Sequence, residues 1–113
     1  MAAATFYSEI EPSRSDIDGH SGGVLLEFGS PTCGWCRAAQ PLIAQALAAH
    51  ADVKHVKVAD GPGRPLGRSY KVKLWPTLVF LRDGQEVSRL VRPDDAAPIH
   101  AALAEIGPGT NPA

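Results

Sequence analysis

Hydrophobic runs long enough to cross a bilayer are missing from this 113-residue sequence, since no apolar stretch approaches the roughly 20 residues a membrane helix needs. The first nine residues have neither the basic segment nor the apolar core of a secretory leader, which points to a cytoplasmic protein. Net charge is nearly absent as well: at −1, with 11 basic against 12 acidic side chains, the chain has no evident means of attracting nucleic acid. Repeats and low-complexity tracts are lacking, apart from residues 107–113, Gly-Pro-Gly-Thr-Asn-Pro-Ala, which cannot bury enough apolar surface to become ordered. Cysteine is scarce. There are two, three positions apart, and a disulfide across so short a loop restrains the unfolded chain very little, so the pair calls for a chemical role and not a structural one.

What remains is an ordinary globular composition, 44% hydrophobic and 20% charged, and a length that allows one domain with one core. The domain is expected over residues 1–106, followed by a flexible tail at 107–113. Charge is unevenly spread: residues 1–29 hold five acids against Arg14, whereas residues 64–92 hold seven bases against Asp83 and Glu86. The basic segment reads first as a solvated surface, and second as a face for an acidic partner.

Residues 23–29, Gly-Val-Leu-Leu-Glu-Phe-Gly, have the length and near-continuous apolar character of a central strand covered on both faces. After the cysteines, Ala39, Leu42, Ile43, Ala46, Leu47 and His50 recur at steps of three and four, which predicts an amphipathic helix kinked but not ended by Pro41. Alternation predicts a strand over 52–60, with Val53, His55 and Lys57 on one side. A loop at 61–65 leads to a short helix over 66–70. Two apolar runs, 76–81 and 86–91, flank Asp83-Gly84 and predict a hairpin. A helix over 94–106 closes the domain, and a strand over 5–10, followed by a short helix, opens it. Strands alternating with helices and ending in a hairpin make an α/β fold, a three-layer sandwich with a mixed central sheet flanked by helices.

Cys33 follows the strand and a turn containing Pro31, and so falls at the N-terminus of the helix. Unpaired N–H groups and the partial positive charge at that end favour an anion at its sulfur. A thiolate that attacks a disulfide needs a second thiol to release the mixed disulfide, and Cys36, one turn on and deeper, supplies it. Cys33 is therefore read as the attacking thiol and Cys36 as the resolving one. Trp35, between them, lies at the exposed start of the helix and is read as a contact for substrate.

These residues carry a resemblance. From about 24 to 106 the chain resembles the thioredoxin family in the strand before Cys33-Gly34-Trp35-Cys36, Pro41 five residues after Cys36, Trp75-Pro76-Thr77 before a hairpin, and Asp83-Gly84 in its turn. The resemblance implies a thiol-disulfide oxidoreductase that reduces or exchanges protein disulfides through a Cys33/Cys36 cycle, with no cofactor beyond that redox-active disulfide and no metal. It implies a cis bond before Pro76, packed against the cysteines, and a Trp75 backbone offered to an extended substrate segment. Glu27 stands where the family usually has a buried acid exchanging protons with the resolving thiol, which makes it the general base for Cys36. Lys57 stands where the family often has that acid's lysine partner. The other reading of Glu27 is a side chain turned to solvent, because a buried charge is expensive.

The sequence departs from the family around the docking surface. Gly29 and Thr32 replace aromatic residues, Gly34-Trp35 replaces Gly-Pro, and Leu74 and Arg92 stand where glycines are common. The implied partners are disulfide-containing proteins and an upstream electron donor such as a thioredoxin reductase, with no nucleic acid or membrane, and a monomer is expected. A client-binding or maturation protein with exchange secondary is the alternative. Two further motifs fail on physical grounds. Cys33, Cys36, His50 and His55 match a zinc-finger spacing, but the helix carries His50 about 20 Å from the cysteines. Residues 61–67 imitate a dinucleotide loop, but two prolines remove the amide donors that phosphate would need. His20, His50, His55 and His100 share no motif and are read as surface or satisfied core residues.

Overall fold

Residues Gly23–Gly29 (β1) are all buried, because β1 is flanked by a strand on each edge and covered by helices on both faces. The structure, a computed structural model, describes Tyr7 and residues 11–107. The strand expected over 5–10 lies, Tyr7 apart, outside the described residues. The described elements are α1 (Arg14–Asp18), β1, α2 (Gly34–Leu47), β2 (Lys54–Ala59), α3 (Pro65–Ser69), β3 (Thr77–Arg82), β4 (Gln85–Val91) and α4 (Ala96–Ile106). The sheet order is β2-β1-β3-β4, with β2 parallel to β1 and the other pairs antiparallel.

The period-two geometry of the strands sorts their side chains into two cores. Leu25, Leu78 and Phe80 pack with Ala39, Ile43 and Leu47 of α2 and with Ile99, Leu103 and Ile106 of α4. On the opposite face Val24, Leu26, Phe28, Val79 and Leu81 pack with Ile17 of α1, Leu66 of α3 and Tyr70. Glu27, two residues after Leu25, therefore faces the α2 side of the sheet. Replacing any of the fully buried leucines by alanine would cost about 2–5 kcal/mol.

Helix α2 runs unbroken through Pro41, as its apolar stripe implied. The short helix starts one residue earlier than expected because Pro65, with its fixed φ, occupies the first turn. The last helix starts two residues later, because Asp95 is its N-cap and accepts from Ala97 N–H at 3.2 Å. Strand β2 is shorter than its alternation suggested, since the Val53 amide closes a turn onto the His50 carbonyl at 3.1 Å. The hairpin closes through two residues, Asp83 (φ 51°) and Gly84 (φ 80°), the left-handed pair that suits the twist of its strands. Asp83 Oδ1 also accepts from Gly22 N–H at 2.7 Å, and a Cβ on Gly84 would overlap the Asp18 carbonyl, so the tip is fastened to the turn before β1.

Candidate active site

The carboxyl end of β1 delivers the chain into a turn organised by Ser30, whose carbonyl accepts from Cys33 N–H at 3.1 Å and whose hydroxyl lies 3.1 Å from that of Thr32. Cys33 is thereby set as the N-cap of α2, in extended backbone (φ −83°, ψ 119°). Its sulfur accepts a hydrogen bond from the Cys36 amide at 3.2 Å, one of the donors that a helix start leaves without an internal partner. Both thiols are free, but they differ in setting. Cys33 is half-buried, whereas Cys36 is 1% exposed. Burial, reinforced by the hydrogen bond with Cys33, pushes the Cys36 thiol up to about 11, against an opposing backbone hydrogen bond from Ser30 and a smaller pull from the Tyr7 hydroxyl.

Gly29 explains how so much fits beneath Cys36. A Cβ there would lie 2.7 Å from Cys36 Sγ and 2.8 Å from the Tyr7 hydroxyl, so both groups occupy the space a side chain would take. Burial holds the Tyr7 phenol above its ordinary range, and the nearby Cys36 and Glu27 add to the effect.

Glu27 is fully buried, which removes the reading of it as a solvent-facing acid. Its partners differ from those expected. Lys57 lies opposite Glu27 in the strand register, yet its ammonium donates to Gln40 Oε1 at 3.0 Å and lies 4.5 Å from the centre of the Tyr7 ring. Gln40 in turn donates through Nε2 to Glu27 Oε2 at 2.7 Å and to the Cys36 carbonyl at 2.8 Å. The direct ionisable partner is His55, with Nε2 2.8 Å from Glu27 Oε1 and both side chains buried. His55 is thus a satisfied core histidine whose partner is the candidate base. Lys57 is connected to Glu27 through Gln40, because a glutamate carries its carboxylate far enough from β1 to meet α2 and His55.

Sequence reasoning passed over Tyr7, Gln40 and His55 here. Gln40 stands four residues after Cys36 on the same helix face, and His55 shares a strand face with Lys57, so both signals were present. Tyr7 had none, being far from the cysteines in the chain. The zinc-finger quartet is not brought together: His55 meets Glu27, and the His50 ring lies near that of His100, 5.6 Å between centres and tilted by 53°. Among the described residues no group of three or more histidines, cysteines or acids could hold a metal.

On the outer side, Trp35 is 60% exposed and Leu74 is 49% exposed. Gly34 has open space around its Cβ position, leaving the first turn of α2 uncovered. The Trp75–Pro76 bond is cis, as the resemblance implied, and Pro76 is buried. Trp75 is held by its indole N–H, which donates to Asp60 Oδ2 at 2.9 Å, and its carbonyl accepts from Arg92 Nε at 2.8 Å.

A sequence profile described as Thioredoxin matches residues 4–105. The chain belongs to the thioredoxin family. It is 34% identical over 89 residues to thioredoxin 1 of Synechococcus elongatus, covering 78% of this chain and 77% of that one. It is 39% identical over 74 residues to the thioredoxin of Chlamydia trachomatis, covering 63% of this chain and 70% of that one. Among solved structures, the reduced form of thioredoxin 2 from Pseudomonas aeruginosa PAO1 is 52% identical, superposes with a TM-score of 0.80, and is matched over 89% of this chain and 94% of that one. Some relatives are far longer: the chain spans 23% of TPR repeat-containing thioredoxin TDX of Arabidopsis thaliana and 12% of protein disulfide-isomerase A2 of Pongo abelii. Membership in the thioredoxin family brings with it the mixed sheet flanked by helices and the thiol-disulfide oxidoreductase class, and the relatives do not favour the client-binding alternative. Among the described residues no helix is long and apolar enough to cross a membrane.

Proposed function

We propose that this chain reduces protein disulfides through a two-electron Cys33/Cys36 cycle, as a cytoplasmic monomer serving cell redox homeostasis and regenerated by an upstream donor such as a thioredoxin reductase. The observation that carries this reading is the asymmetry of the pair: a half-buried sulfur capping α2 and receiving an amide hydrogen bond, above a buried thiol one turn on. In the first step the Cys33 thiolate attacks one sulfur of the substrate disulfide. A Cys33–substrate S–S bond forms, the substrate's own S–S bond breaks, and one substrate sulfur leaves as a thiolate. In the second step Cys36 loses its proton to Glu27, directly or through one water, and attacks Cys33 Sγ. The mixed disulfide breaks, the second substrate thiolate leaves, and the Cys33–Cys36 disulfide holds the oxidising equivalents.

Resolution starts from a buried thiol held neutral well above physiological pH, so a base is required in the second step. In this reading Gln40, Lys57 and His55 position the Glu27 carboxylate. Trp75 and Pro76 dock an extended substrate segment, Trp35 borders it, and Gly34 keeps the approach to Cys33 open. The test is trapping with a disulfide-bonded protein substrate. Cys36→Ser is expected to accumulate a mixed disulfide at Cys33, and Cys33→Ser to accumulate none. Equal trapping by both variants would exclude the two-step cycle.

A further inference from the structure

Exchange chemistry accounts for the inner side of the site but not for Arg92. This residue holds φ at 50°, in the left-handed region that disfavours any residue bearing a side chain. Its amide donates to the Pro76 carbonyl at 2.9 Å, its Nε donates to the Trp75 carbonyl at 2.8 Å, and its guanidinium carbon lies 4.8 Å from the centre of the Trp35 ring. The side chain is therefore laid across the rim from the cis-proline loop to the residue between the cysteines. It is half-buried, and among the described residues no carboxylate forms an ion pair with it. Two other basic residues of the 64–92 segment are already engaged: Arg89 is paired with Glu86 at 2.7 and 2.8 Å, and Arg82 donates to the Gly107 carbonyl at 2.8 Å.

A guanidinium fixed through Nε keeps its two terminal nitrogens for an end-on, two-pronged contact with a carboxylate, and its place over the indole, 4.8 Å from the ring centre, reduces what hydration it has to lose. We propose that Arg92, lying over Trp35, selects target segments that carry an acidic side chain beside the cysteine under attack. The proposal rests on the reading of Cys33 and Cys36 as a protein-disulfide reductase, and it names the class of substrate. The exposed Leu74 and Trp35 then supply apolar contact for the same segment, and Arg92 is its charged anchor. Because Arg92 already holds the Trp75 carbonyl, the acidic group adds to the docking surface without displacing any contact seen in the fold.

The probe is a pair of disulfide-linked peptides, identical except for glutamate or glutamine next to the target cysteine, reduced by the dithiol form of the protein. At low salt kcat/KM for the glutamate peptide is expected to exceed that for the glutamine peptide about tenfold, and the ratio to shrink as salt screens the contact. Arg92→Gln is expected to bring the ratio to one, and Arg92→Glu to invert it. Arg92→Gly, which suits the left-handed backbone, is expected to lose the preference while remaining folded by thermal denaturation, separating selection from stability. Equal rates for the two peptides in the unmodified protein, or a preference that survives in Arg92→Gly, would overturn acid selection and leave the reductase reading standing. Failure to reduce either peptide or a small aromatic disulfide would overturn both.

Discussion

The two sides of the Cys33–Cys36 pair are built on opposite plans. Beneath Cys36, Glu27 bonds to His55 and Gln40, Gln40 bonds to Lys57, and Tyr7 packs against the sulfur. Beside Cys33, Trp35 and Leu74 are exposed and Arg92 lies over the indole without a carboxylate partner among the described residues. A closed hydrogen-bonded set in a low-dielectric interior holds one geometry, whereas an open rim with unspent apolar and cationic surface is suited to meeting another chain. The lesson is that chemistry and selection are separable here: variants of the inner set should alter the second step, and variants of the rim should alter the choice of substrate.

The sharpest break in that division is expected from Glu27→Gln. It should slow resolution of the mixed disulfide by about 100-fold, the lower end of what a positioned general base contributes, while its formation proceeds unchanged. Rapid-mixing kinetics of the two phases checks this, and equal slowing of both would show that the inner set also serves attack. Next in size is His55→Leu, which leaves the buried Glu27 one donor short and should lower stability by about 1–3 kcal/mol in urea unfolding. Removing the surface partner in Glu86→Ala should cost no more than about 1 kcal/mol by the same measurement.

Tyr7→Phe sharpens the comparison further. Its hydroxyl favours the Cys36 thiolate, so its loss should slow resolution about fivefold, the effect of one ordinary hydrogen bond, with no change in the first step. A related effect appears in equilibrium stability. The Cys36 thiol is raised to about 11 in the fold, so between its ordinary value and 11 the unfolded chain has lost a proton that the folded chain keeps. Stability of the reduced protein should therefore be complete below about pH 9 and decline towards pH 11, and Cys36→Ser should flatten that decline in denaturant titrations at stepped pH. Smallest of all is Arg92→Gly. Relief of the left-handed backbone offsets loss of the bond to the Trp75 carbonyl, so stability should move by less than about 1 kcal/mol in either direction.

Much of the fold could be read from local pattern. The apolar run of β1, the three- and four-residue stripe of α2 and the Asp83-Gly84 turn each specify an element within a short window. The ends shifted where a cap or a proline decided them, as at Asp95 and Pro65. In the site, Cys33 and Cys36 were legible because strand, turn and helix start are consecutive in the chain, and Glu27 because one acid interrupts an apolar strand. Its partners were harder, since they depend on how far a glutamate side chain reaches between β1, β2 and α2. Register placed Lys57 opposite Glu27, but side-chain length gave the direct contact to His55. Tyr7 lay beyond reach of any such argument, because nothing local ties residue 7 to the end of β1.

Gly29 sets the order in which this site can change. With a Cβ position only 2.7 Å from Cys36 Sγ and 2.8 Å from the Tyr7 hydroxyl, even alanine there meets two obstacles at once. Both obstacles are the outer ends of side chains, so a larger residue 29 becomes tolerable only after Cys36 Sγ and the Tyr7 hydroxyl have turned aside, with α2 left in place. The contact between the phenol and the resolving sulfur is therefore tied to a glycine at 29: a lineage that enlarges this residue gives up that contact, and one that keeps the contact keeps the glycine.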